Sequence, residues 1–80
     1  MNRGLKSELK RYFNGCADVY SKWTDCDCIT IEFYDMDDYI RYRNESVDSD
    51  VEEIINRYGG SVVQIYCDMS ELKFHYPTNF

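Results

Sequence analysis

Residues 27–34 read Asp27-Cys28-Ile29-Thr30-Ile31-Glu32-Phe33-Tyr34. β-Branched and aromatic side chains fill this run and alternate in period two. Ile29, Ile31 and Phe33 line one face, while Cys28, Thr30, Glu32 and Tyr34 line the other. One apolar and one mixed face describe a strand of an antiparallel or mixed sheet whose apolar face is covered by helices.

Beyond this strand, two readings of residues 36–44 compete. In the first, Asp35 caps a helix, Asp38 lies in its first turn, and Met36, Tyr39, Ile40 and Arg43 share one side. In the second, a tight turn through 36–38 leads into a returning strand, YIRYR. Apolar spacings of three and four favour the helix. Ser49-x-x-Glu52 has the form of a capping box. It precedes Val51, Ile54, Ile55 and Tyr58, a helical stripe over residues 50–58 that Gly59-Gly60 ends. Residues 61–67, SVVQIYC, predict a strand with Val63, Ile65 and Cys67 on one face. A turn over 68–71 leads to a strand over 72–76, with Leu72, Phe74 and Tyr76 inward and Lys73 and His75 outward. Pro77 is expected to end the pairing and residues 78–80 to be loose.

Upstream, Leu5, Leu9, Tyr12 and Phe13 make the apolar stripe of a helix over residues 3–14, which Cys16 extends. Arg3, Lys6, Lys10 and Arg11 lie off that stripe, and Asn14-Gly15 is a stop. Residues 18–23 predict a short strand with Val19 and Trp23 inward. The expected fold is a single α+β domain over residues 1–80. It has an antiparallel or mixed sheet of three to five strands with helices packed on one face, in the order α-β-β-α-α-β-β.

The 80 residues carry a net charge of −6, distributed unevenly. Residues 25–53 hold eleven carboxylates against Arg41 and Arg43, a local −9. Residues 1–22 hold five basic and two acidic groups, a local +3. A phosphate backbone would repel such a chain, so direct nucleic-acid binding is not expected. The N-terminus lacks the apolar core of a signal peptide, and no run approaches the ~20 apolar residues of a membrane span. These features lead to the expectation of a soluble, cytoplasmic protein whose cysteines are free thiols.

Chemistry-bearing motifs are few. Cys16, Cys26, Cys28 and Cys67 do not share the knuckle spacing of a zinc site. On alternating strands, Cys28 and Cys67 point to opposite faces. Asp25, Asp27 and Glu32 surround Cys26 and Cys28 with negative charge, which opposes thiolate formation. His75 alternates outward. Asp35-x-Asp37 starts like a calcium loop, but Ile40 stands where that loop needs glycine and Ser46 where it needs glutamate. No phosphate-binding loop, nucleophile elbow or dinucleotide fingerprint is present. No enzyme, cofactor or metal is expected.

What remains is an acidic tract interleaved with tyrosine. Glu32, Asp35, Asp37, Asp38, Asp48, Asp50, Glu52 and Glu53 supply charge, and Tyr34, Tyr39 and Tyr42 supply aromatic packing. Clustered charge speeds encounter with an opposite surface, and aromatics anchor the contact. The expected function is a small non-enzymatic inhibitor that docks this face onto a basic, nucleic-acid-binding surface of a partner protein, by mimicry or occlusion. In general character the chain resembles the small acidic proteins that phages direct against host defence, anti-CRISPRs among them. That likeness is one of composition and would place the protein in the host cytoplasm. The alternatives are a self-associating structural module and a small Cys/His metal-binding protein.

Overall fold

A computed structural model describes residues 1–21 and 27–80. Three helices cover one face of a five-stranded antiparallel sheet, in the order α-β-β-α-α-β-β-β. Trp23, Asp25 and Cys26 lie outside the described residues.

Helix α1 spans Arg3–Tyr12. The Asn2 side chain accepts the Gly4 and Leu5 amides at 2.8 and 3.1 Å, satisfying two donors that a helix start leaves open. Leu5, Leu9 and the following Phe13 are fully buried. The helix ends where Asn14 and Gly15 take left-handed backbone, φ 54° and 72°.

Strands β1 (Ala17–Ser21) and β2 (Cys28–Phe33) pair antiparallel, Val19 opposite Ile31. Strand β2 is central: its second edge pairs with β5 (Lys73–Asn79), Ile31 opposite Phe74. Ile29, Ile31 and Phe33 face the helices as their alternation requires. The mixed face is more enclosed than expected, with Cys28 and Thr30 both fully buried. Thr30 Oγ1 lies 3.0 Å from His75 Nδ1 on the neighbouring strand, and the Tyr20 hydroxyl reaches across from β1 to Glu32 Oε1 at 3.1 Å.

Helix α2 spans Met36–Asn44, so the helical reading of this segment holds. Asp35 caps it by accepting the Asp37 amide at 2.8 Å. Its inward face is corrected: Tyr39 and Tyr42 are buried, while Met36 and Ile40 are 41% and 40% exposed. Ring packing explains the choice. The Tyr42 ring stacks on Phe33 at 5.6 Å and meets Phe13 edge-on at 5.0 Å, and Tyr39 lies 5.2 Å from Phe74. Each buried tyrosine removes roughly 150–250 Å² from water, more than the aliphatic pair would.

Helix α3 spans Asp48–Arg57. The expected capping box does not form, because Val47 is the cap residue and no side chain bonds the helix start. Ser46, at φ 55°, turns the chain so that Val47 enters the core. Ser49 therefore falls inside the first turn. At the other end Gly59 is left-handed at φ 88°. Gly60 is required for a different reason: a Cβ there would lie 2.6 Å from the Phe80 ring.

The C-terminal third departs most from expectation. The strand expected over 61–67 is two pieces, β3 (Ser61–Val62) and β4 (Tyr66–Asp68), both paired to the same edge of β5. Val62 sits opposite Thr78 and Tyr66 opposite His75, so three residues, 63–65, face only Tyr76 and Pro77. This one-residue bulge has its cause in Pro77. The Pro77 carbonyl accepts the Val63 amide at 2.9 Å, so Pro77 faces this edge. It has no N–H to return, and the ladder breaks there. Pro77 itself is buried mid-strand and does not end the pairing. Residue 78 is not loose: the Thr78 amide donates to Asp27 O at 2.8 Å, and Asn79 pairs with Ser61. Leu72, expected in the strand, instead takes left-handed backbone, φ 59°, immediately before it.

Candidate functional site

The fold sorts the acidic tract by what each carboxylate already holds. Asp35 caps α2. Asp38 Oδ1 accepts Arg41 Nη2 at 3.2 Å, and the same guanidinium lies 4.3 Å over the Tyr42 ring. Asp48, in the first turn of α3, accepts the hydroxyl of fully buried Tyr76 at 2.7 Å. Asp50 accepts the Tyr12 hydroxyl from α1 at 2.7 Å. Glu32 holds Tyr20 on the helix-free face of the sheet. Two tyrosines register these arrangements: Tyr76, through burial and then the Asp48 bond, and Tyr12, through burial and then the Asp50 bond, both have pKa values well above the ordinary phenol range.

The raw charge is also redistributed by packing. Within α2, Asp37 and Asp38 are matched by Arg41 and Arg43, leaving the helix neutral. Within α3, four carboxylates against Arg57 leave −3, and within α1 four basic residues against Glu8 leave +3. These two helices pack side by side. Glu8 and Arg57 join them at 2.8 Å, beside the Tyr12–Asp50 bond. Part of the acidic surface therefore serves the fold by facing a basic helix.

Of the residues assigned to partner binding, Tyr39 and Tyr42 are removed by burial. Glu52 and Glu53 are exposed but stand on α3. Tyr34, Asp35, Asp37 and Asp38 come together at the β2–α2 junction. Tyr34 is 66% exposed there, beside Met36 and Ile40, which neighbour each other one helical turn apart. Met36 and Ile40 are the contact residues the sequence pattern misassigned. Their spacing of four was visible, but a second stripe, Tyr39 and Tyr42, competed for the same core.

Thiol and imidazole chemistry finds no assembled centre in the described residues, among which no group of three or more His, Cys, Asp or Glu side chains is placed to hold a metal ion. Cys28 and Cys67 fall on opposite faces of the sheet, as their alternation predicts. Burial, then Asp48, pushes the Cys67 thiol up, away from thiolate character. Cys16 lies 3.9 Å from Arg41 Nη2. A groove of about 260 Å³ between α1 and α3 is lined by Glu8, Arg11, Tyr12, Ile54 and Arg57, where Arg57 is already matched by Glu8. No helix among the described residues is long and apolar enough to cross a membrane.

No family model, curated protein or solved structure matches the chain.

Proposed function

We propose that this is a non-enzymatic binding protein that docks its β2–α2 junction onto a basic surface of a partner protein and occludes a nucleic-acid-binding groove there. The observation that carries this reading is the exposure of Tyr34, Met36 and Ile40 beside Asp35 and Asp37. The other two tyrosines of the same segment are buried. Three large apolar side chains in seven residues, rimmed by carboxylates, match the anatomy of an interface core with a charged rim. The carboxylates steer a basic partner and set orientation, and Tyr34 anchors the contact. Because Asp38, Asp48, Asp50 and Glu32 hold groups of this chain, occlusion suits the arrangement better than mimicry of a phosphate row. The partner is a protein with a basic groove, of the kind phage anti-defence proteins meet in a host.

The test is competition. Tagged protein captures partners from a native-host lysate, and a captured nucleic-acid-binding protein is then assayed for nucleic-acid binding with added inhibitor. The expected result is displacement by the wild type and loss of displacement by Y34A/M36S/I40S at unchanged Tm. Asp37→Asn is expected to weaken association at low salt and to matter less at high salt. Equal displacement by the triple variant would overturn the reading.

A further inference from the structure

Both ends of the sheet can be compared from the hydrogen-bond register. On β1, the Tyr34 amide donates to Cys16 O, so even-numbered residues of β1 face β2 and Ala17 and Val19 face the outer edge. That edge is closed. The Val19 amide is taken by the Asp18 carboxylate at 2.9 Å, α1 packs alongside, and Ala17 and Val19 are fully buried. On β5, the Thr78 amide faces β2 and Pro77 faces the other side. His75 and Lys73 share the side of Pro77, so they hydrogen-bond with Tyr66 and Asp68. Cys67, opposite Phe74, consequently turns its N–H and C=O outward.

The β4 edge lacks the devices that close β1. Residues 61–67 contain no Asp, Glu, Lys or Arg. Val63 is 61% exposed and Ile65, Tyr66 and Met69 are 39%, 43% and 45% exposed. The Pro77 bulge blunts only the upper part of this edge, and β4 remains a free strand. Asp68, the nearest carboxylate, is held by Ser70 Oγ at 2.7 Å and by the Glu71 amide at 3.3 Å.

We infer that the β4 edge is a homodimer contact in which two copies pair antiparallel about a two-fold axis at Cys67. The charge pattern selects this occupant. A second copy of a −6 chain is repelled by the acidic surfaces and approaches at least cost along an uncharged strand. A basic partner gains nothing from that strand. Two-fold pairing is self-complementary at this residue: each Cys67 N–H meets the carbonyl of its mate, Tyr66 lies opposite the mate's Asp68, and Val63, Ile65 and Met69 supply apolar contact. The surface is separate from the β2–α2 junction, so either proposal can fail alone.

In a hydrogen-bonded antiparallel pair the opposed Cα atoms lie about 5.5 Å apart, within disulfide range. Light scattering over a concentration series, combined with mild diamide oxidation and non-reducing electrophoresis, tests the inference on the full chain. The mass is expected to rise toward twice 9.6 kDa, with a covalent dimer that Cys67→Ser abolishes. V63K/I65K, at exposed positions, is expected to remain monomeric at unchanged Tm, while Y34A/M36S/I40S dimerises like the wild type. A wild type that stays monomeric at millimolar concentration, a dimer indifferent to V63K/I65K, or a covalent dimer surviving Cys67→Ser would each overturn the inference.

Discussion

Removing one oxygen from Tyr76 is expected to destabilise the fold more than deleting most exposed charges. The Tyr76 ring is fully buried in β5 and its hydroxyl donates to Asp48 Oδ1 at 2.7 Å. That bond ties the sheet to the first turn of α3, whose start has no side-chain cap. Hydrogen bonds to a charged acceptor contribute about 1.5–3 kcal/mol. Asp48 is half-exposed, so water partly replaces the lost donor in Tyr76→Phe, and a loss of about 1.5 kcal/mol is expected. Asp48→Ala is expected to cost more, about 2–3 kcal/mol, because the phenol hydroxyl is then left buried without an acceptor. The double variant should cost less than the sum, since with the hydroxyl gone nothing buried is orphaned. For a domain of this size each kcal/mol lowers Tm by about 4–8 °C. Urea unfolding followed by tryptophan or tyrosine fluorescence measures all three variants. Tyr76→Phe indistinguishable from wild type, or Asp48→Ala milder than Tyr76→Phe, would refute the clasp as an energetic link.

Tyr76 and Tyr12 have raised pKa values in the fold, so the protonated phenol is the form that folding favours. Their contribution is therefore complete below the unfolded value near 10 and is lost as pH climbs above it. Alkaline unfolding monitored by phenolate absorbance should show these two groups ionising only together with loss of structure. Tyr39→Phe is expected to be neutral or to stabilise by about 0.5–1 kcal/mol, because the Tyr39 hydroxyl is buried without a hydrogen-bond partner; a loss above that size in urea melts would count against it. Gly60→Ala should cost about 1–3 kcal/mol by forcing the Phe80 ring and Ile55 away from the backbone, and thermal melts of G60A against G60A/F80A, where the clash is relieved, check the cause.

Much of the secondary structure was legible along the chain. Period-two alternation in residues 27–34 and helical stripes around Leu5–Leu9 and Ile54–Ile55 depend on neighbours within a few residues, and those elements formed where the pattern put them. The candidate site was legible only in part. Tyr34, Asp35 and Asp37 belong to the junction, whereas Tyr39 and Tyr42 turned inward and Met36 and Ile40 outward. Two apolar stripes on one short helix are equivalent to a sequence pattern. The rings of Phe13, Phe33 and Phe74, contributed by three separate elements, decided between them.

By itself, then, the sequence determined the α+β class, the helix covering of one sheet face, and a polarised charge with a basic first helix and an acidic centre. Each follows from residue type and local period. Only the tertiary structure decided which carboxylates are free. Asp48 and Asp50 look unattached in the chain, but their partners, Tyr76 and Tyr12, lie 28 and 38 residues away. It also decided the break at 63–65, since Pro77 acts on that edge only once β5 lies beside it. A hydrogen bond or a missing donor between distant segments carries no local signature. It exists only where folding brings the two backbones or side chains within reach.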